Sequence, residues 1–250
     1  MSSNWKAYND LAWTVDWFVE PSDYEDEVSH YISLIHKYTA NHFTTLLHLG
    51  SGAGGMDWVF KRHFTITGVD ISSGMIAKAR STHPDIEYIE GDIRSLRLNR
   101  QFDAVVIPDC IDYMVTLDDL NKAIKTAVYH LKLSGILLVV GKTLETFQNN
   151  NFAYTGEKDG IHITLLENNY LNPSTRNSYE ATLIYLIRQQ EKLTVHMDRH
   201  VLGLFSQKDW EKVFRDNGLV LHQSTLDGVY DKYLLGEGKY PMQVFIGVKI

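Results

Sequence analysis

The chain has 250 residues, 44% hydrophobic and 22% charged, with a formal charge of −7. That is ordinary globular composition, long enough for one domain carrying a small subdomain, and it sets aside wholesale disorder. The 24 basic residues are scattered among 31 acidic ones, the opposite of the clustered Lys and Arg that track phosphates, so no nucleic-acid partner is expected.

The first 40 residues hold an aromatic lead with Trp5, Tyr8, Trp13, Trp17 and Phe18, then a helical pattern over Tyr24–Tyr38. The opening Met1–Lys6 lacks the basic start and apolar run of a secretory signal. No apolar stretch reaches bilayer length, and the single cysteine, Cys110, excludes an intramolecular disulfide. A cytoplasmic protein with no membrane partner is expected.

Short β-rich runs follow at Thr45–Leu49, Thr65–Val69, Ile86–Ile89, Ala104–Pro108 and Ile136–Val140. Between them Met56–Arg62, Gly74–Ser81 and Leu117–Leu131 have helical spacing, which implies right-handed crossovers and a parallel sheet covered on both faces. Ile136–Val140 has no polar alternation, as befits a strand buried on both sides. From Thr143 to His200 the pattern changes. Ile161–Leu166, Tyr179–Ile187 and Lys192–Val201 read as strands separated by the turn-rich pieces Glu157–Gly160 and Asn172–Asn177, hence an inserted antiparallel layer. Ser206 can cap a helix over Gln207–Asn217 that ends at Gly218. Strands at Leu219–Gln223 and Gln243–Lys249 close the chain, with too short a loop for a crossover helix, so the last strand should run antiparallel.

The fold class is therefore α/β: a Rossmann-like, mostly parallel sheet with its last strand antiparallel, plus an inserted antiparallel layer. The expected organisation is an N-terminal helical lid over 1–40, a cofactor-binding unit over 41–142 and 203–250, and an inserted subdomain over 143–202 that caps the substrate or dimerises.

The strongest local signal is Leu46–Gly55, a strand running into glycines at 50, 52, 54 and 55 before a helix. Such glycines let the backbone turn tightly and approach a ligand, and the helix N-terminus offers free N–H groups. The run satisfies both G-x-G-x-x-G and G-x-G-x-G, and a tight turn without any ligand remains an alternative at this point. Asp70 ends the second strand, 20 residues past Gly50, where a carboxylate can accept both hydroxyls of a ribose. A helix-capping role is less needed there, since Ser72 can cap the helix near Gly74. After the third strand, in Glu90–Ile93, an acidic residue can accept an adenine amino group while Ile93 covers the ring.

Together, Leu49–Gly54, Gly68–Ser72 with Met75 and Ala79–Arg80, Gly91–Asp92, Phe102–Val106 and His130–Ile136 resemble the class I S-adenosylmethionine (SAM)-dependent methyltransferases at five ordered motifs. The resemblance implies a seven-stranded sheet and SAM as cofactor, with S-adenosylhomocysteine as product. It implies that Gly50, Ser51, Gly52 and Gly54 meet the methionine part and the ribose. Asp70 would hold the ribose hydroxyls with Ile71 and Met75 beside it, Asp92 and Ile93 the adenine, and Pro108 and Asp109 the wall after strand four. The family usually has an acidic residue two before the first glycine, where this chain has His48, which leaves the anchoring of the methionine amine open.

Farther along, Tyr8–Trp13 with Asp23–Tyr24, Arg199–Phe205, Trp210 and Phe214–Gly218 are similar to the N-methyltransferases that dimethylate nucleotide-linked amino sugars. That likeness implies a small-molecule acceptor, an amine, and a lid made by Tyr8, Tyr24, Trp13 and Trp17.

Methyl transfer needs an acceptor lone pair in line with the C–S bond, a closed pocket and an acidic neighbour to orient an amine. Asp109, Cys110, Asp112 and Tyr113 follow strand four, where the methyl would emerge. Asp109 or Asp112 could take the amine's proton and Tyr113 could wall the sulfonium, while Asp112 could equally be a solvated loop residue or a cap. Nothing marks Cys110 as an activated nucleophile. His200 could serve as a base or simply be packed. Other readings are an O-methyltransferase of a small metabolite, a SAM-binding module without catalysis, and an NAD-dependent oxidoreductase. Ile107–Cys110 lacks the Asp/Asn-Pro-Pro-Tyr run of enzymes acting on flipped bases. The edges of the inserted sheet make a homodimer through it plausible.

Overall fold

The structure, a computed structural model, describes residues 5–19, 21–39, 42–172, 174–175 and 177–250. The expected turn over Asn172–Asn177 and the expected lid therefore fall partly outside the described residues.

Strands β1 (Thr45–Leu49), β2 (Thr65–Asp70), β3 (Glu87–Glu90), β4 (Phe102–Ile107) and β5 (Leu131–Gly141) are mutually parallel. β11 (Met242–Lys249) lies antiparallel against β5, and β10 (Leu219–Leu226) antiparallel against β11. The seven strands run in the order β10-β11-β5-β4-β1-β2-β3. Chain direction through the sheet reverses between β1 and β4, the place where open α/β sheets leave a crevice at the carboxyl ends of their strands.

Side-chain alternation along the strands divides the core. Leu47, Val105, Leu137 and Val139 face α4 (Leu117–Tyr129) and α5 (Gln207–Asp216). Leu46, Val106, Leu138 and Val140 face α1 (Glu25–Lys37) and α2 (Asp57–Phe60). Three helix starts are capped by a local side chain. Thr116 Oγ1 accepts from the Asp119 N–H, and Ser206 and Asp209 form a reciprocal capping box. Ser72 caps α3 (Ser73–Thr82) by accepting from the Met75 N–H, as its position suggests. The helix expected over Met56–Arg62 shrinks to the single turn α2, because Arg62 and His63 tighten onto Val59 and Phe60 with three-residue bonds.

The inserted layer is a four-stranded antiparallel sheet, β6 (Asn150–Lys158), β7 (Ile161–Tyr170), β8 (Ser178–Gln189) and β9 (Lys192–Gly203). β6 has no counterpart in the sequence expectation. It opens on Asn150-Asn151, residues poor in strand propensity, and forms as an edge strand through pairing with β7.

The lead folds as three short 3-10 helices, Lys6–Tyr8, Ala12–Trp17 and Pro21–Tyr24. Ala7, Leu11, Trp17 and Phe18 pack on Ile163, Leu183, Tyr185 and Ile187 of the inserted sheet. The approach is close enough that a β-carbon on Gly156 would sit 1.5 Å from the Trp17 carbonyl oxygen. α1 belongs instead to the core of the large sheet, so the 1–40 segment is not one lid. Only the part ahead of α1 bridges the two sheets, because α1 buries Val28, Tyr31 and Ile35 against β-strand side chains. Among the described residues no helix is long and apolar enough to cross a membrane.

Candidate active site

The bend after β1 is fastened from below. The Gly50 and Ser51 N–H groups both donate to the Val69 carbonyl, at 2.7 and 2.9 Å. Gly50 has φ +75°, and a β-carbon there would overlap Cys110 Sγ at 2.1 Å, so the position requires glycine. Underneath, His48 Nδ1 and the Tyr88 hydroxyl lie 2.7 and 2.8 Å from the two oxygens of fully buried Asp57. His48 is thus a brace between β1 and α2.

Asp70 is fixed by the backbone on both oxygens. The Gly52 N–H donates to Oδ2 at 2.9 Å and the Ser72 N–H to Oδ1 at 2.8 Å. Burial raises its pKa above the usual carboxylate range, against the pull of those two donors. Beyond Gly52 a β-carbon would meet nothing within 4 Å, and the neighbouring Ile71 side chain is exposed. A glycine facing open space, a carboxylate held rigid beside it and an uncovered apolar side chain together fit an adenosine-type cofactor. Ser51 offers that space little: its buried hydroxyl is turned under the loop toward Gly68 and has no hydrogen-bond partner among the described residues. Gly54 is likewise taken up by close contact with Tyr88 and His83.

The lead reaches the same place. Ser72 Oγ donates to the Tyr8 carbonyl at 2.5 Å, and the Tyr24 ring lies against Gly55, where a β-carbon would come within 2.6 Å of it. Met75 and Ile93 are buried. Asp92 is gripped by Arg94, whose Nε and Nη2 donate to Oδ2 at 3.0 and 2.6 Å, and this holds its pKa below the usual range.

Past β4 the walls of a second space converge. Asp109 is solvent-exposed, yet protein surrounds it, so it stands in a recess, the acceptor chamber, toward which Glu27, Asp112, Lys142 and Glu167 all bring charge. It has no hydrogen-bond partner among the described residues. Burial, and then the charges of Glu27, Asp112 and Glu167, push its pKa up to about 7, against the opposing pull of Lys142. Asp112 is neither solvated nor a cap: its Oδ2 accepts from Lys142 Nζ at 2.7 Å and from the Tyr179 hydroxyl at 2.9 Å. Burial alone would lower the Lys142 ammonium; Asp112 more than offsets it and keeps the amine charged. That ammonium also stands 5.4 and 5.7 Å over the Tyr179 and Tyr240 rings. Tyr8, Tyr113 and His200 form a relay, hydroxyl to hydroxyl at 2.6 Å and Tyr113 hydroxyl to His200 Nδ1 at 2.7 Å. Trp5 stacks on His200 at 5.3 Å between ring centres. Trp17 Nε1 donates to the Ile161 carbonyl at 3.2 Å, which ties it to the inserted sheet, and Trp13 meets Trp17 edge-on.

Residues 46–135 match the family described as a methyltransferase domain. A dTDP-3-amino-3,4,6-trideoxy-alpha-D-glucopyranose N,N-dimethyltransferase of Streptomyces venezuelae is 28% identical over 202 residues, covering 79% of this chain and 84% of the relative. The structure of DesVI from Streptomyces venezuelae is 25% identical, with a TM-score of 0.77 and coverage of 91% of this chain and 92% of that one. A SAM-dependent methyltransferase is what this domain, and relatives that span most of the chain, support. A malonyl-[acyl-carrier protein] O-methyltransferase of Priestia megaterium is 30% identical over 164 residues, covering 62% of this chain and 57% of the relative.

In this methyltransferase the structure brings together Gly50, Gly52, Asp70, Pro108, Asp109 and Cys110 at the strand ends, with Tyr8, Tyr113 and His200 joined across the chamber. Cys110 carries no activation: burial pushes its thiol well up, and Sγ donates to the Leu49 carbonyl at 3.4 Å. Sequence reasoning missed Lys142, Glu27, Glu167, Tyr179 and Tyr240. Lys142 alone had a local signal, as the first residue after a strand buried on both sides; the others come from segments that only the fold brings near Asp109.

Proposed function

We propose that this methyltransferase methylates the nitrogen of a small amine, in the class of amino sugars carried by a nucleotide. The single observation that carries the reading is Asp109: a carboxylate with no hydrogen-bond partner among the described residues, in a chamber rich in acids and tyrosines, at the end of the strand beside the glycine bend. An ammonium gives that group both a donor and a counter-charge, whereas a hydroxyl acceptor gives it a donor alone. The 28% identical dTDP-amino-sugar N,N-dimethyltransferase supports the same class.

When bound, SAM supplies an electrophilic methyl on a sulfonium and leaves as S-adenosylhomocysteine. Gly52 lets the backbone lie against its methionine and ribose part, with Gly50 and Gly54 shaping the bend. Asp70 accepts the ribose hydroxyls, flanked by Ile71, with Met75 behind. Ile93 covers the adenine, and Asp92 reaches it only by sharing a carboxylate that Arg94 already grips. Asp109 holds the acceptor ammonium and takes its proton, which frees the nitrogen lone pair; with a pKa near 7 it exchanges that proton readily at neutral pH. Tyr113 walls the reacting centre, and His200 holds Tyr113 in place through its hydroxyl. Tyr8 and Tyr24, from the lead, close the space over the cofactor and exclude water.

We further propose a homodimer through the outer face of the inserted sheet. Met197, 65% exposed, is in register with Ile184 and then Leu166, and Val195, 57% exposed, with Leu186. An apolar face of that breadth is unusual on a monomer, and a two-fold axis lets it cover itself. Sedimentation should give a dimer, and Met197→Glu a monomer. A cytosolic location fits the single reduced Cys110.

Incubation with methyl-labelled SAM and matched amino and hydroxy sugars linked to dTDP tests the function. Label should enter the amino sugar alone; label in the hydroxy sugar, or in neither, refutes the assignment.

A further inference from the structure

Two carboxylates address the chamber from opposite walls. Asp109 stands at the end of β4, and Glu167 on β7 of the inserted sheet. In the register of that sheet Phe152, Glu167, Leu183 and Asp198 form one row on the same face. Phe152 meets the Tyr240 ring at 4.8 Å, Lys142 Nζ stands over Tyr240, and Lys142 bonds Asp112, three residues from Asp109. A run of contacts thus leads from the row that holds Glu167 to Asp112, three residues along the chain from Asp109.

Among the described residues the Glu167 side chain makes a single hydrogen bond, accepting from Asn169 Nδ2 at 2.7 Å on Oε1. Asn169 is 1% exposed, its Nδ2 also donates to Asn150 at 3.1 Å, and its own Oδ1 has no partner. A buried amide left half-satisfied is unfavourable, and what this one accomplishes is to fix Oε1 of Glu167 while Oε2 has no donor among the described residues, on the sheet face whose charge reaches Asp109. Lys142 is committed to Asp112 and cannot neutralise Glu167 as well.

One ammonium satisfies Asp109. Oε2 of Glu167 then still lacks a donor, and a hydroxyl provides one without a second charge to desolvate. We infer that Glu167 determines acceptor specificity by binding a hydroxyl carried next to the reacting amine. The inference rests on the amine reading of the site and names what else that amine must carry.

The test uses dTDP-3-amino-3,4,6-trideoxy-α-D-glucopyranose, which has a hydroxyl on C2 beside the C3 amine, and its 2-deoxy counterpart. With the wild-type enzyme kcat/KM should favour the hydroxyl-bearing sugar by about tenfold or more, the value of a hydrogen bond to a charged group. In Glu167→Gln the preference should shrink severalfold through a higher KM for that sugar, while the affinity for S-adenosylhomocysteine stays at its wild-type value. Glu167→Asp, which keeps the charge but withdraws it by one methylene, should slow the hydroxyl-bearing sugar more than its counterpart, and carries the test if the Gln variant does not bind the cofactor product. Equal preference in wild type and variants, or no preference in the wild type, overturns the role of Glu167 alone. No transfer to either sugar overturns the amino-sugar reading and this inference with it.

Discussion

The cofactor bend and the acceptor chamber lie side by side and are built by opposite means. At the bend, Asp70 is held by Gly52 and Ser72, the latter two residues away in the chain, and the loop is tied to Val69 of the adjacent strand. In the chamber, Asp109, Lys142, Glu167, Tyr179 and Tyr240 come from five separate segments, and Tyr8 adds a sixth. The bend is rigid because its partners are local. The chamber is charged because its partners are distant and unequally matched.

The difference can be broken most sharply at Asp109. Asp109→Asn should lower kcat for an amine about 10²–10⁴-fold, the usual contribution of a general base, without weakening S-adenosylhomocysteine binding. The same variant should be more stable than the wild type. The native pKa of about 7 lies above the unfolded value of about 3.9, so Asp109 contributes stability that is present below pH 4 and lost as pH rises to 7. The Tm difference should therefore be larger at pH 8 than at pH 5, and a constant difference would deny the perturbed group.

Lys142→Met sharpens the contrast from the other side. It leaves Asp112 facing the chamber without its cation and should cost about 3 kcal/mol of stability in denaturant titration, as uncompensated buried charges do. Asp70→Ala acts on the bend alone: calorimetry should show S-adenosylhomocysteine bound about 10- to 100-fold more weakly, with the circular dichroism spectrum kept. Tyr8→Phe should have the smallest effect, about 1 kcal/mol of stability from the lost bond to Tyr113, with turnover reduced only slightly.

The same contrast governs what could be read in advance. The glycines of the bend, Asp70, the cap at Ser72 and the antiparallel β11 all follow from spacing over a few residues, and all are present as expected. His48 was visible as a departure, but its meaning was not, since Asp57 that answers it lies on a helix nine positions on and Tyr88 on another strand. β6 was missed because its asparagines show no strand pattern and only pairing with β7 makes it one. Glu167 was invisible as a candidate for the same reason: nothing in its own segment announces that its charge will reach Asp109.

A crystal of the enzyme with S-adenosylhomocysteine and an amino sugar tests the central claim most directly. The account predicts the sulfur above Gly52 and directed at the chamber, the ribose on Asp70, and the amine nitrogen between that sulfur and the Asp109 carboxylate, hydrogen-bonded to it. A sulfur turned away from the chamber, or an amine bound out of reach of Asp109, contradicts it.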